Sequence, residues 1–269
     1  MKILSRVYNA LIFLFLYLPI VVLIVFSFNA TKSRVNWGGF SLRWYEKLFG
    51  NEEILSALRV TLTVAVISAV AATLIGLLAA LGIHAMNRRL RKVFLAVNNI
   101  PMVNPEIVTG ISLMLLFVFL YRFIGVLQPG FSTLLIAHIT FNIPYVVLQV
   151  LPKLRQLDRH LYDAALDLGC PPLRAFFKVV LPEIMPGVLT GMLMAFTMSL
   201  DDFVISYFTS GTSSQTLSVV IYTMTKRPVT PEINALSSLL FGSILILLIA
   251  VNVYQIRDIN KSSLRTQKG

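Results

Sequence analysis

The sequence predicts an all-α, polytopic membrane protein with six transmembrane helices and one long cytosolic loop. Three observations predict it. Of 269 residues, 57% are hydrophobic and only 13% charged, a balance too apolar for a soluble domain. The apolar residues gather into six runs long enough to cross a bilayer. The Lys and Arg residues fall in short tracts between those runs, as orientation signals do.

Residues 8–28 form the first run, about twenty residues for a hydrocarbon core of ~30 Å. Lys2 and Arg6 precede it as in a signal peptide, yet it exceeds the usual ~7–15-residue apolar region, and Phe26-Ser27-Phe28 offers no small-x-small cleavage site. An uncleaved helix is expected. Residues 29–56 read as an external segment, with Trp37, Trp44 and Tyr45 at the membrane interface. Residues 57–86 are the second helix, ended by Asn87 and the basic group Arg88, Arg89, Arg91 and Lys92. Residues 93–125 would span about 50 Å as one helix, too long for ordinary tilt. A break is therefore expected at Pro101 and Pro105, with Asn104 as N-cap and Pro105 in the first helical position. Residues 132–151 are the fourth helix, kinked at Pro144, and residues 184–208 the fifth. Residues 210–230 read as a polar external segment, and residues 233–256 as the sixth helix before a basic tail.

Six spans put both ends on one side. With that side inside, the internal segments carry 15 of the 23 Lys and Arg residues, so both termini and residues 158–182 are expected in the cytosol. The net charge of +11 is dispersed among these tracts and points to no nucleic-acid partner. No G-x-x-x-x-G-K-[ST] string occurs, so the chain has no cradle for nucleotide phosphates. No polar segment is long enough to bury a ligand-binding core of its own. The single Cys170 excludes an internal disulfide framework, and no metal, redox or cofactor site is expected.

Residues 158–182, DRHLYDAALDLGCPPLRAFFKVVLP, interrupt the apolar runs while keeping helical periodicity. Leu161, Ala164, Ala165 and Leu168 fall at i, i+3, i+4 and i+7 and make one apolar stripe, with Asp158, Asp163 and Asp167 on other faces. Gly169 is placed to end this helix at positive φ, and Pro171-Pro172 to open a second helix over residues 173–180, with Phe176 and Phe177 exposed or docked. On composition alone this is an amphipathic loop on a membrane surface. Its spacing resembles the EAA loop of the membrane subunits of bacterial ABC importers. That pattern is Glu-Ala-Ala, three residues, Gly, nine residues, Ile, one residue, Leu-Pro. Here Asp163-Ala164-Ala165, Gly169, Val179 and Leu181-Pro182 keep every interval, with Asp163 for the Glu and Val179 for the Ile. The resemblance implies the ABC importer type I permease fold, with this loop as a coupling helix docked on a separate ATPase subunit.

Acids inside apolar runs are costly, about 2.5–3.5 kcal/mol each on insertion scales, and need a partner or water. Asp201 and Asp202 lie in the fifth run, about 100° apart on a helix. Ser199, Asp202, Ser206 and Thr209 share one polar stripe, whereas Asp201 shares its face with Met194, Thr197, Met198, Ile205 and Phe208. Asp202 is accordingly assigned to a water-filled path and Asp201 to an interhelical hydrogen bond, beside the alternative that both merely tie helices together. Asp202 is 18 residues beyond Ile184, roughly 27 Å along the axis and in the outer part of the membrane. Glu232, after Thr230-Pro231, and Glu106, after the Pro105 break, each suit a helix start, where a carboxylate offsets the positive end, and each remains a path candidate. Several acids without a clear midmembrane base point to a cationic solute, with Phe203, Tyr207 and Phe208 available for cation–π contact.

Further strings resemble the second permease subunit of spermidine/putrescine ABC importers: Tyr17-Leu18-Pro19-Ile20, NWGGFSLRWY at 36–45, NPEIVTGISL at 104–113, SLDDFVISYF at 199–208 and PEINALSSLL at 231–240. Together they are spread over most of the chain's length, from residue 17 to residue 240. The resemblance implies a subunit of the bacterial inner membrane without enzymatic activity of its own. Its implied partners are a sister permease, a homodimer of ATPases and an extracytoplasmic solute-binding protein, with the polyamine path between the two permeases. Related permeases for ferric iron, thiamine and phosphonate share the loop, so another solute is the alternative. An ion-gradient carrier is a more distant one, and an intramembrane aspartyl protease fails because adjacent Asp on one helix cannot face each other.

Overall fold

The computed structural model describes residues 2–32, 36–226, 231–243, 245, 246 and 249. Among these, every regular element is helical, and one isolated antiparallel bridge pairs Asn29 with Phe40. Five helices are long and apolar enough to cross a membrane: Arg6–Ser27, Glu52–Ala85, Glu106–Ile124, Phe131–Gln156 and Pro172–Asp201. The sixth expected span begins as a helix at residue 231, and its later part, with the basic tail, lies outside the described residues.

The chain divides into two compact units, Met1–Glu53 with Thr223–Gly269, and Ile54–Tyr222. In the first unit, α1 (Lys2–Ser27) exposes most of its apolar side chains, as a lipid-facing helix does. The segment after it is more ordered than the expected external stretch. Asn29 is fully buried; its Oδ1 accepts from Gly38 N at 2.8 Å, and its backbone carbonyl accepts from Trp44 Nε1 at 2.6 Å. Trp44, in α2 (Arg43–Phe49), is therefore inside rather than at an interface, because its one donor found a buried acceptor. Trp37 remains exposed.

In the second unit, α3 (Glu52–Ala85) starts five residues before the expected span. Asn87 does not trail it but caps the next helix, α4 (Arg88–Val103), by accepting from Leu90 N at 3.0 Å. The basic group thus forms the first turn of α4. Arg91 reaches back to donate to the Ile83, His84 and Met86 carbonyls at 3.2, 2.5 and 3.0 Å, satisfying the open C-terminal end of α3. Of the two prolines expected to break the chain, Pro101 stays inside α4 and only Asn104-Pro105 breaks it, one residue out of register: Pro105 is the N-cap and Glu106 opens α5 (Glu106–Ile124). The crossing helix is α5 alone, since α4 has only 16 residues.

The centre of this unit is α6 (Phe131–Gln156), which includes both Pro144 and Pro152. Val146, Val147 and Val150 of α6 are fully buried with Ala69, Ala72 and Ala80 of α3. Glycine permits the approach: a Cβ at Gly76 would stand 2.7 Å from Val146 Cγ1, and one at Gly187 would stand 2.9 Å from the Gln149 carbonyl oxygen. Small residues at such seams let helix backbones come close where no hydrophobic drive separates helix from lipid.

After α6 come α7 (Arg159–Asp167), the short α8 (Pro172–Ala175), a widened π turn over Phe176–Val180, and α9 (Leu181–Asp201). The expected helix over 173–180 is not separate, because it runs through the π turn into α9. Pro182 explains the widening, since a proline lacks an N–H and its ring crowds the carbonyl four residues back. The expected single helix over 184–208 ends instead at Asp201. Asp202 is extended (φ −62°, ψ 127°), and α10 (Val204–Thr209) follows. The expected polar segment over 210–230 contains another helix, α11 (Leu217–Thr225).

Candidate functional site

Two places carry the residues singled out by the sequence. The first is the elbow between α7 and α9. Asp158 begins it as N-cap, accepting from His160 N at 3.0 Å. At the other end, Gly169 N donates to Leu166 O at 2.8 Å and Cys170 N to Ala165 O at 3.0 Å, the paired bonds of a Schellman motif. Gly169 adopts φ +79°, as the positive-φ reading requires. The apolar stripe does not turn inward: Leu161 is 44% exposed and Leu168 89%, while Tyr162, Phe176 and Leu181 pack on the core. Leu173 and Phe177 are also exposed, at 74% and 61%. Asp163, Ala164, Gly169 and Pro182 are exposed, and Ala165 is half-buried. Four of the motif residues thus lie outward beside the exposed Leu161, Leu168, Leu173 and Phe177, while Leu181 packs inward.

The second place is the break after α9. Ser199, Asp202, Ser206 and Thr209 come together as their spacing indicates, but in the protein interior. Ser199, Ser206 and Thr209 are buried, and the Asp202 side chain is 4% exposed. The Asp202 carboxylate accepts from Ile205 N at 3.2 Å and Ser206 N at 2.7 Å, and so faces the positive end of α10. Its backbone carbonyl accepts from Ser218 Oγ of α11 at 2.7 Å. Asp202 and Ser206 are therefore engaged inside the chain, where a water-filled path was expected for Asp202. Asp201 is the exposed one, and it forms no hydrogen bond or ion pair among the described residues. The two acids differ in surroundings because the helix ends between them, which turns Asp202 inward and leaves Asp201 exposed.

A base stands inside one of the candidate spans. His138 of α6 is 2% exposed, with Nδ1 at 2.6 Å from Ser199 Oγ and Nε2 at 3.0 Å from Ser206 Oγ and 3.5 Å from Asp202 Oδ2. Ser68 Oγ of α3 donates to Ser199 Oγ at 3.0 Å. One turn along α6, Asn142 is fully buried, and neither its Nδ2 nor its Oδ1 has a partner among the described residues. A His and an Asn spaced i, i+4 within an apolar run are the sequence signal for this polar face.

Past the break, three rings converge. Phe203 lies 4.7 Å from Tyr222 and 5.6 Å from Tyr207, centre to centre, and Tyr207 lies 5.9 Å from Tyr222. Phe208 also packs on Tyr207 at 5.4 Å. Tyr207 and Tyr222 are 46% and 37% exposed, so the group presents aromatic surface beside the exposed Asp201 segment. Glu106, at the start of α5, is exposed and within electrostatic reach of Tyr145. Glu232 belongs to the other unit, where it is buried and ion-paired with Lys47 in the first turn of the helix over 231–243. Its expected N-cap, Thr230, lies outside the described residues.

Comparison with known proteins gives consistent matches. The family model described as binding-protein-dependent transport system inner membrane component matches residues 72–266. The chain is 42% identical over 234 residues to the putrescine transport system permease protein PotI of Escherichia coli (strain K12), covering 86% of this chain and 83% of that one. It is 41% identical over 239 residues to the spermidine/putrescine transport system permease protein PotC of the same strain, covering 89% of each. Among solved structures, a bacterial ABC transporter involved in the import of the acidic polysaccharide alginate matches with a TM-score of 0.71. The match covers 94% of this chain and 95% of that one at 15% identity, which is a likeness of fold.

Proposed function

The chain belongs to the family of binding-protein-dependent transport system inner membrane components, and from that premise we propose that it forms, with a sister permease, the path of a polyamine into the cytoplasm. It is an all-α permease subunit of an ABC importer. ATP is hydrolysed on a homodimer of separate subunits that dock on the outward apolar surface at Leu161, Leu168, Leu173 and Phe177. An extracytoplasmic solute-binding protein delivers the solute, and both termini lie in the cytoplasm on the evidence of the basic tracts.

The observation that carries the cationic solute is Asp201: an exposed carboxylate without a partner among the described residues, two positions before Phe203 and its cluster with Tyr207 and Tyr222. Facing lipid, it would cost about 2.5–3.5 kcal/mol, so it belongs beside water or a cation. Aromatic faces hold alkylammonium groups at about 0.5–2 kcal/mol each, weak enough to release them. Asp201, rather than Asp202, is the acid the solute meets. Glu106 is also exposed and is a further candidate, whereas Glu232 is offset by Lys47.

Reconstitution of the complex in liposomes tests this reading. Labelled putrescine or spermidine should enter only with ATP and the binding protein together. Uptake driven by an ion gradient without ATP, or ATP-driven uptake of ferric iron, thiamine or a phosphonate with none of polyamine, would refute it.

A further inference from the structure

A single imidazole touches both sides of the discontinuity at Asp202-Phe203. His138 Nδ1 meets Ser199 Oγ, in the last turn of α9, at 2.6 Å, and Nε2 meets Ser206 Oγ, in the first turn of α10, at 3.0 Å. We propose that His138 is a positioning residue of the transport path: it sets the angle at which α10 leaves α9, and thereby how Asp201 and the Phe203, Tyr207 and Tyr222 rings are presented to the solute. The inference rests on the polyamine-path reading of Asp201 and these rings.

The backbone does not set that angle. Asp202 is extended, so the helical ladder is interrupted, and the bonds from Ile205 N and Ser206 N to its carboxylate are local to α10. The angle is left to contacts from other helices. Ser218 Oγ holds the Asp202 carbonyl at 2.7 Å, on the α11 side. His138 holds the α6 side and grips a residue on each half. An imidazole is a rigid spacer, with one donor and one acceptor in its neutral form. Each ring nitrogen faces a serine hydroxyl that can donate or accept, Ser199 at Nδ1 and Ser206 at Nε2, so either neutral tautomer bridges the two halves. His138, Ser68, Ser199 and Ser206 are all buried, so water does not compete for these bonds.

The test uses the assembled complex in a Cys170→Ser background, with spin labels on cysteines introduced at the exposed positions Thr197 and Thr212, on either side of the break. Label-to-label distances and labelled spermidine imported per ATP hydrolysed are compared for wild type, Ser206→Ala, His138→Leu and His138→Gln. Ser206→Ala should broaden the distance distribution and lower import per ATP by about fivefold, the factor for one hydrogen bond of ordinary net strength. His138→Leu should do more. His138→Gln, whose amide also offers one donor and one acceptor, should restore both readouts toward wild type. Should His138→Leu fail to assemble, Ser206→Ala and His138→Gln still decide. An unchanged distance distribution in Ser206→Ala overturns the proposal, as does a broadened one with normal import per ATP. A wild-type complex that imports no polyamine defeats only the solute reading, because the distances are measured without solute.

Discussion

His138 Nε2 lies 3.5 Å from Asp202 Oδ2, and the two side chains are only 2% and 4% exposed. The pair joins the second turn of α6 to the point where α9 stops. The Ser199 and Ser206 hydroxyls also meet the His138 ring, and two backbone N–H groups also meet the Asp202 carboxylate, so the pair is one edge of a buried polar network.

Asp202→Ala should therefore fail in assembly rather than in transport alone. It removes the acceptor for two backbone N–H groups, worth about 0.5–2 kcal/mol as a cap, and strips His138 of its acid. The yield and melting temperature of the purified complex should both fall. Asp201→Asn should assemble at the normal level while polyamine uptake falls about 10–100-fold, the range for losing a contact to a charged group. The reverse pattern, measured as uptake per purified complex, would return the path to Asp202.

Gly169→Val should separate ATP hydrolysis from transport. The residue stands at φ +79°, where a side chain costs about 1–2 kcal/mol, and nothing lies within 4 Å of a Cβ built there, so the effect comes from the backbone alone. Insertion should survive, with uptake lost and ATPase activity poorly coupled or poorly bound. Normal uptake by this variant would remove the elbow from the coupling path.

Asn142→Leu should raise the melting temperature of the complex. The native amide is fully buried with both polar atoms unpartnered among the described residues, and replacing such a group by an apolar one of similar shape is neutral or stabilising. A fall in melting temperature would mean that the amide is satisfied in the assembled transporter.

Cys170 should react with a membrane-impermeant maleimide in inside-out vesicles and not in intact cells, since it follows Gly169 in the elbow assigned to the cytosol. Labelling of intact cells would invert the topology.

Local chemistry was legible in the sequence, and tertiary chemistry was not. Pro105 announced the break before α5, and Gly169 announced the end of α7, because each residue type restricts or frees its own backbone. No glycine or proline marks the break at Asp202-Phe203. It depends on His138 and Ser218, which lie far along the chain, so helical spacing gathered the right stripe and assigned it the wrong surroundings. Trp44 was misplaced for the same reason: its acceptor is a backbone carbonyl 15 residues away. The basic group after Asn87 read as a connector because Arg91 finds its partners in the preceding helix rather than its own.

The continuous helix from Pro172 to Asp201 has 30 residues, about 45 Å at 1.5 Å per residue. It begins at the elbow proposed to face the ATPase and ends at the acid proposed to meet the solute. Gly187 and Gly191 hold this span close against α6, so a displacement at Pro172 is carried toward Asp201 along one helix, through the π turn at Phe176–Val180, without a relay of intervening loops. The joint at Asp202 then determines how much of that displacement passes to the aromatic rings beyond it.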